Sequence, residues 1–523
     1  MPRNRPHVVV VGGGFGGVSA VRALKRADVD VTLVDRHTYN TFQPLLYQVA
    51  TSTLNPGDIT WFLRSIRAKQ DNVRFLKGTV TSMEHSTRTI SLDGGLTLSY
   101  DYLIIASGTT ANFFGIPGAE EYSLPLYRRS QALAVRDRMF AILEDAAVNG
   151  RNTEFRAIVV GGGPTGVETA GALAEMRNVD MPVTYPEIDT ARVHITLVEM
   201  APHVLGPFAP KLRNYARKSL EKRGVDLRLE TSVKEVTPDG VIVNDGEFIP
   251  ADMVIWGSGI TTHPVIANWG VPLGRGRRIM VDDHLRVQGL DNVYAVGDIA
   301  VEDGDRALPQ LAQPALQGGK YAAKDIRARL KGKEHKPFSY FDKGTMATIG
   351  RSSAVAELQP FGKLTGFFAW VTWIVVHLYF LLGGRNRLAT MINLGSRYIF
   401  WRGGHNAIVG ETPPVIARVA PPGAVLSTPA GALTETKPSE EKPSEETAPE
   451  GDASEQVLKE TAQADAEADQ QVGHQGVVGD VPVALVVGRV RRVGRRGDEP
   501  YAPAGHRVRL AEPADEDRAL AHP

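Results

Sequence analysis

The chain has 523 residues, 42% hydrophobic and 23% charged, an ordinary globular composition with room for two or three domains. Lys plus Arg and Asp plus Glu number 59 each, so no charge excess points to nucleic acid or to an acidic partner. Cysteine is absent, which excludes disulfides, thiolate zinc sites, iron–sulfur clusters and Cys-x-x-Cys redox pairs, and no metal centre is expected.

Arg3 and Arg5 lead directly into the strand-like run His7–Val11. No apolar stretch with a small-residue cleavage site is seen, so the expected compartment is the cytoplasm or a surface facing it. After the run come Gly12-Gly13-Gly14-Phe15-Gly16-Gly17, then Val18, Val21 and Leu24 at helical spacing, then Val31–Val34 closing on Asp35. Gly12, Gly14 and Gly17 fit the dinucleotide fingerprint. The first allows a tight turn, the second lets backbone approach a pyrophosphate, and the third lets helix and strand pack closely. Asp35 stands where an acid accepts hydrogen bonds from ribose hydroxyls.

Val73–Leu76 and Tyr102–Ala106 read as further strands. The fingerprint pattern then repeats: Ala157–Val160, the glycines Gly161, Gly163 and Gly166, a helix, and Ile195–Val198 closing on Glu199. Arg177–Arg192 reads as an insertion before that second strand. A carboxylate at 199 would repel a 2′-phosphate, which favours NADH over NADPH; the alternative is a solvated strand end. Val225–Leu229, Val241–Val243 and Met253–Trp256 read as strands, as does Asn292–Val296, which leads to Gly297 and Asp298. Two dinucleotide sites in one chain imply two dinucleotides that meet, and FAD with a nicotinamide is the natural pair. An acid at 298 suits the ribityl chain of FAD.

Gln313 and Gln317 fall on one face of a helix starting near Ala312, with Pro314 tolerable only in its first turn. Spacing alone leaves open a solvated glutamine face. Glu168, early on the second glycine-loop helix, could simply complement the helix dipole. Gly366–Leu382 is almost wholly apolar, preceded by Lys363 and followed by Arg385 and Arg387, close to the lower limit of roughly 17–25 residues for a spanning helix. His377 within it reads either as a satisfied core histidine or as a polar group beside a ligand channel. From about Pro413 the composition turns to Pro, Glu, Ala and Ser, with Lys-Pro-Ser-Glu-Glu in tandem over Lys437–Glu446, which reads as disordered. Val472–Pro523 has no periodicity and receives no role.

The run Val34–Thr51, containing Asp35-Arg36-His37 and Gln43-Pro44-Leu45-Leu46-Tyr47-Gln48, resembles the signature of type II NADH:quinone oxidoreductases. Gly161–Gly171, Asn292–Ala300, Ala312–Gln317 and Lys343–Gly350 carry the same resemblance, which covers roughly residues 5–402. These are single-chain, non-proton-pumping flavoproteins of the two-dinucleotide-binding-domain fold. The resemblance implies FAD contacts at Asp35, Arg36, Gly297 and Asp298. It implies quinone and flavin contacts at Gln313 and Gln317, and a place near the nicotinamide for Glu168, on a proton path to the quinone. It also implies monotopic attachment to the cytoplasmic side of the cell membrane through residues 361–387, with a homodimer as one possible assembly. Related disulfide reductases carry redox cysteines near Phe42–Thr51; with none here, the flavin must deliver electrons directly to a diffusible acceptor.

The expected fold is therefore α/β with two Rossmann-like dinucleotide-binding domains. The expected division is FAD domain 1–115 and 285–335, NADH domain 116–284, membrane-associated region 336–410 and disordered tail 411–523. Two other functional readings stand beside it: a soluble NAD(P)H-dependent flavin reductase feeding another acceptor, and an NADH-sensing protein without turnover.

Overall fold

The computed structural model describes residues 5–149, 154–244, 246–302, 307–359 and 362–400; the expected tail at 411–523 lies outside them. Two five-stranded parallel sheets repeat one architecture. The first runs in the order Val293–Ala295, Tyr102–Ile105, His7–Val11, Asp30–Asp35, Val73–Lys77. The second runs Leu124–Pro125, Met253–Trp256, Phe155–Val160, Val193–Val198, Asp226–Arg228. In each, the strand that leads into its own glycine loop, His7–Val11 or Phe155–Val160, sits at the centre and the chain crosses from one side of it to the other. A crevice thus opens at its carboxyl end.

The central strands are near-continuous Val and Ile runs because helices cover both faces of a parallel sheet. Val8, Val9 and Val10 are fully buried, as are Leu103, Ile104 and Ile105 beside them. Each sheet is interrupted in sequence by a three-stranded antiparallel meander, inserted before a later strand of the same sheet: Val80–Glu84 with Thr89–Leu92 and Thr97–Ser99 in one lobe. Val233–Thr237, Gly240–Val243 and Glu247–Pro250 form its counterpart. The segment expected as an insertion, 177–192, is short helical turns: the helix Pro164–Glu175 continues through Met176–Asp180 into Met181–Thr184. Arg397 reaches back to Asp180 at 2.9 Å and ties this segment to the C-terminal region.

Ala312–Arg329 is a helix from the residue expected, and it lies against the first glycine-loop helix, Phe15–Ala23. Glycine makes that crossing possible: a Cβ on Gly319 would stand 2.1 Å from the Gly16 carbonyl oxygen. Ser19 Oγ donates to the Leu316 carbonyl at 2.7 Å across the same contact. The crossing brings the first turn of the second helix, and Gln313 with it, to the mouth of the glycine loop.

A third sheet, Gly344–Thr348, Ala354–Leu358 and Gly362–Thr365, is antiparallel and carries two helices, Gly366–Phe380 and Gly384–Gly395. The first presents Phe367, Phe368, Val371, Val375 and Tyr379 to solvent, four of them 55–75% exposed. Its opposite side buries Ala369 and Trp373. Leu388, Met391 and Ile392 of the next helix, each more than half exposed, extend the outward apolar surface. At 1.5 Å per residue the 15-residue helix is about 22 Å long, short of a hydrocarbon core of about 30 Å. No helix among the described residues is long and apolar enough to cross a membrane.

Candidate functional site

At the carboxyl end of the first sheet, Gly12 turns at φ +106°, and a side chain there would collide with the Ala106 carbonyl oxygen at 2.3 Å. A Cβ on Gly17 would lie 1.8 Å from the Gly12 carbonyl oxygen, so this glycine sets the closeness of helix and strand. Gly14, by contrast, faces open space, with no atom within 4 Å of a built Cβ. It precedes the helix Phe15–Ala23, whose N-terminus has no side-chain cap and so leaves N–H groups free for an anion. The second loop repeats each feature: Gly161 at φ +106°, Gly166 pressed on Gly161, Gly163 open, and an uncapped helix behind it.

The two acids are held alike. Asp35 accepts from the Gly13 N–H at 2.6 Å with one oxygen and from the His37 N–H at 2.7 Å with the other. Glu199 accepts from the Gly162 N–H and, with its second oxygen, from Ala201 N–H at 2.7 Å. A carboxylate offers about four acceptor positions, so each retains two for a ribose diol. Burial pushes the Asp35 carboxyl above its ordinary value, against the pull of those two N–H groups.

One cavity of about 1040 Å³ begins at the first glycine loop. It passes Asp35, Arg36, Gly297, Asp298, Gln313, Pro164 and Glu168, and ends at Thr372, Val376, His377 and Phe380 on the inner side of the apolar helix. It is at or above the usual upper size for a small-molecule site. Its polar groups suit a bound dinucleotide: Ser107 Oγ is buried on its wall with no partner, and Gly14 leaves room for phosphate. Asp298 is pushed up to about 6 by burial, against the attraction of Arg278. Glu199 is not among the groups lining it, so the second loop contributes only through its helix, at Pro164, Thr165 and Glu168.

Glu168 is buried where the helix Pro164–Glu175 meets the third sheet, and accepts from the Thr348 N–H at 3.1 Å. Desolvation raises its pKa to about 8, with the Thr348 N–H and the Trp373 indole opposing the rise. It is therefore predominantly a neutral acid at pH 7, which the dipole reading of this position does not anticipate. Tyr47 packs beside it, its hydroxyl 2.9 Å from Thr348 Oγ1, and burial with the Glu168 charge pushes that phenol well above its usual value.

The glutamine pair is divided. Gln313 lines the cavity. Gln317, expected beside it, does not; its amide exchanges two hydrogen bonds with the Phe341 backbone, donating at 2.9 Å and accepting at 3.1 Å. Helical spacing places both on one face, but the strap running from Phe341 to Met346 crosses the lower turn and satisfies the second amide. Sequence reasoning missed Tyr47, Thr348 and Trp373 around Glu168. Tyr47 and Thr348 stand inside the quoted signature runs, and an indole in an apolar run gave no sign that it faces a carboxyl group.

The pyridine nucleotide-disulphide oxidoreductase family model matches residues 6–319, and the NDH2 C-terminal domain model matches 343–403. The chain is 38% identical over 429 residues to the type II NADH:quinone oxidoreductase NdhA of Mycobacterium tuberculosis, covering 78% of this chain and 90% of that protein. It is 36% identical over 429 residues to Ndh of the same organism, covering 78% and 92%. The structure of NDH2 from Plasmodium falciparum in complex with NADH superposes with a TM-score of 0.70 over 76% of this chain and 99% of that one. At 21% identity that likeness speaks for the fold. The chain thus belongs to the pyridine nucleotide-disulphide oxidoreductases and, within them, to the type II NADH:quinone oxidoreductases.

Proposed function

We propose that this enzyme takes a hydride from NADH through a bound FAD and passes two electrons to a quinone drawn from one membrane leaflet, without moving protons across the membrane. One observation carries the reading: a single cavity joins the first glycine loop to the inner side of an apolar helix whose outer side is bare. A soluble flavin reductase has no use for such a helix, and a sensor without turnover has none for the second end of the cavity.

FAD, when bound, supplies the two-electron relay between nicotinamide and quinone. The chain's own residues do the rest. Residues 1–115 and 285–335 form the FAD domain, where the N–H groups behind Gly14 hold the pyrophosphate and Asp35 the adenosine ribose, with Arg36 and Asp298 along the same wall. Residues 116–284 form the NADH domain, where Gly161, Gly163 and Gly166 cradle the second pyrophosphate. Glu199 there accepts from the 2′-hydroxyl and rejects a 2′-phosphate. Gln313 presents an amide to the quinone head, and Gln317 positions the strap at Phe341 that walls the passage. Glu168 holds a proton at neutral pH beside the cavity, where a reduced quinone needs one. Phe368, Val375 and Tyr379 enter the leaflet, and the basic residues Lys363 and Arg385 suit anionic headgroups on the cytoplasmic side.

The test is stoichiometry. Purified protein should be yellow with FAD bound, and should form one quinol per NADH oxidised. NADH oxidation at an undiminished rate without quinone would overturn the reading.

A further inference from the structure

His377 is the one histidine of the apolar helix, and the geometry around it fixes its chemistry. Its Nδ1 lies 2.7 Å from the Trp373 carbonyl oxygen. A carbonyl only accepts, so Nδ1 carries the ring proton and Nε2 is left as a bare lone pair. The ring cannot turn freely. It stacks on the Trp373 indole at 3.9 Å and 22°, and the Phe42 ring meets it edge-on at 6.0 Å. Nε2 has no hydrogen bond to any described residue, yet the side chain lines the main cavity. Burial holds the imidazole down at about 4, against the Trp373 carbonyl, so it remains an acceptor at neutral pH.

We propose that His377 Nε2 accepts a hydrogen bond from a hydroxyl of the reduced acceptor, a quinol, and thereby distinguishes product from substrate in the cavity. This rests on the quinone reading above. A quinone offers only carbonyl oxygens, which cannot bond to a lone pair; the bond becomes available only as O–H forms. An interaction realised late in the reaction lowers the barrier without tightening substrate binding. His377 gives up and takes no proton. In the balance NADH plus H+ plus quinone gives NAD+ plus quinol, the hydride comes from NADH and the remaining proton from Glu168, which solvent reprotonates. The imidazole supplies only the acceptor. Because the same bond holds the product, it also predicts that quinol binds more tightly than a site without that acceptor would allow.

The experiment uses the full-length holoenzyme with a short-tail ubiquinone and its quinol. It measures KM for the quinone, kcat, and the product-inhibition constant of the quinol. FAD content and Tm report integrity. His377→Leu removes the acceptor and should raise the quinol constant on the order of five- to tenfold, the worth of one neutral hydrogen bond, with kcat falling and KM moving less than about twofold. The side-chain oxygen of Gln reaches the place of Nε2, whereas that of Asn reaches only the place of Nδ1. His377→Gln should therefore recover the quinol constant, and His377→Asn should not. That pair decides the question even if the leucine variant loses its flavin. A rise of KM and quinol constant by one common factor, or no change in either, would overturn the proposal. A wild-type enzyme that fails to reduce the quinone would instead overturn the function on which it rests.

Discussion

Glu168→Gln separates the charge of this buried acid from its shape. The carboxyl is raised from 4.5 to about 8 by desolvation, so the folded protein keeps the proton while the unfolded chain loses it. The sign follows from linkage. Below pH 4.5 both states are protonated and the group is neutral in its effect. Between 4.5 and 8 the unfolded state is progressively favoured, by about 1.4 kcal/mol per pH unit, and above 8 the penalty is constant. The full difference is about 5 kcal/mol as an upper bound, and at pH 5 it is under about 1 kcal/mol. Glutamine has nearly the same shape, can accept from the Thr348 N–H, and does not titrate. Thermal unfolding of holoenzyme followed by flavin release, from pH 5 to pH 9, should show the variant gaining on wild type. The gain should reach several degrees in Tm at pH 8 and above and nearly vanish at pH 5. A difference that stays flat across this range would mean that Glu168 titrates as an ordinary carboxyl and that its neutral form plays no part.

Three further outcomes are expected. Gly14→Val should fold, because nothing lies within 4 Å of that Cβ, yet should purify colourless because the side chain fills the pyrophosphate position; full flavin content measured at 450 nm would contradict this. Glu199→Ser should narrow the NADH over NADPH preference by about 1–3 kcal/mol in kcat/KM, and an unchanged ratio would show that Glu199 does not read the ribose. Replacing Phe368, Val375 and Tyr379 together by Glu should release the enzyme from anionic liposomes in a flotation assay while the flavin stays bound. Deleting the chain from residue 361 is a poorer test, because Trp373 is buried against Tyr47 and the deletion would open the core under the cavity.

The two lobes were legible in the sequence because glycine loops, apolar strands and terminal acids are local signals. Gly12, Gly161 and their partners sit in the conformations that their spacing demanded, and the helix start at Ala312 was fixed by Pro314. What escaped was the consequence of crossings between distant segments. Gly16 against Gly319 sets where Gln313 lands, and the strap at Phe341 removes Gln317 from the cavity; neither is written in spacing. Glu168 shows the same gap, since it is kept neutral by burial against the third sheet at Thr348, 180 positions further along the chain, and that burial prevails over the Thr348 N–H itself. The apolar helix looked long enough to span only while its last two residues were counted in; it ends at Phe380, with Arg387 Nε donating to the Leu381 carbonyl at 2.8 Å just past its end.

The central claim is that the acceptor reaches the flavin through the inner side of the apolar helix, and a plug tests it most directly. Val376 lines the cavity there, so Val376→Trp should fill the passage while leaving the glycine loops untouched. In liposomes holding a long-chain quinone, turnover with that quinone should fall at least on the order of tenfold relative to turnover with ferricyanide, which needs no entry from the membrane. Equal losses with the two acceptors, at full flavin content, would contradict the passage and with it the account of how this enzyme meets its quinone.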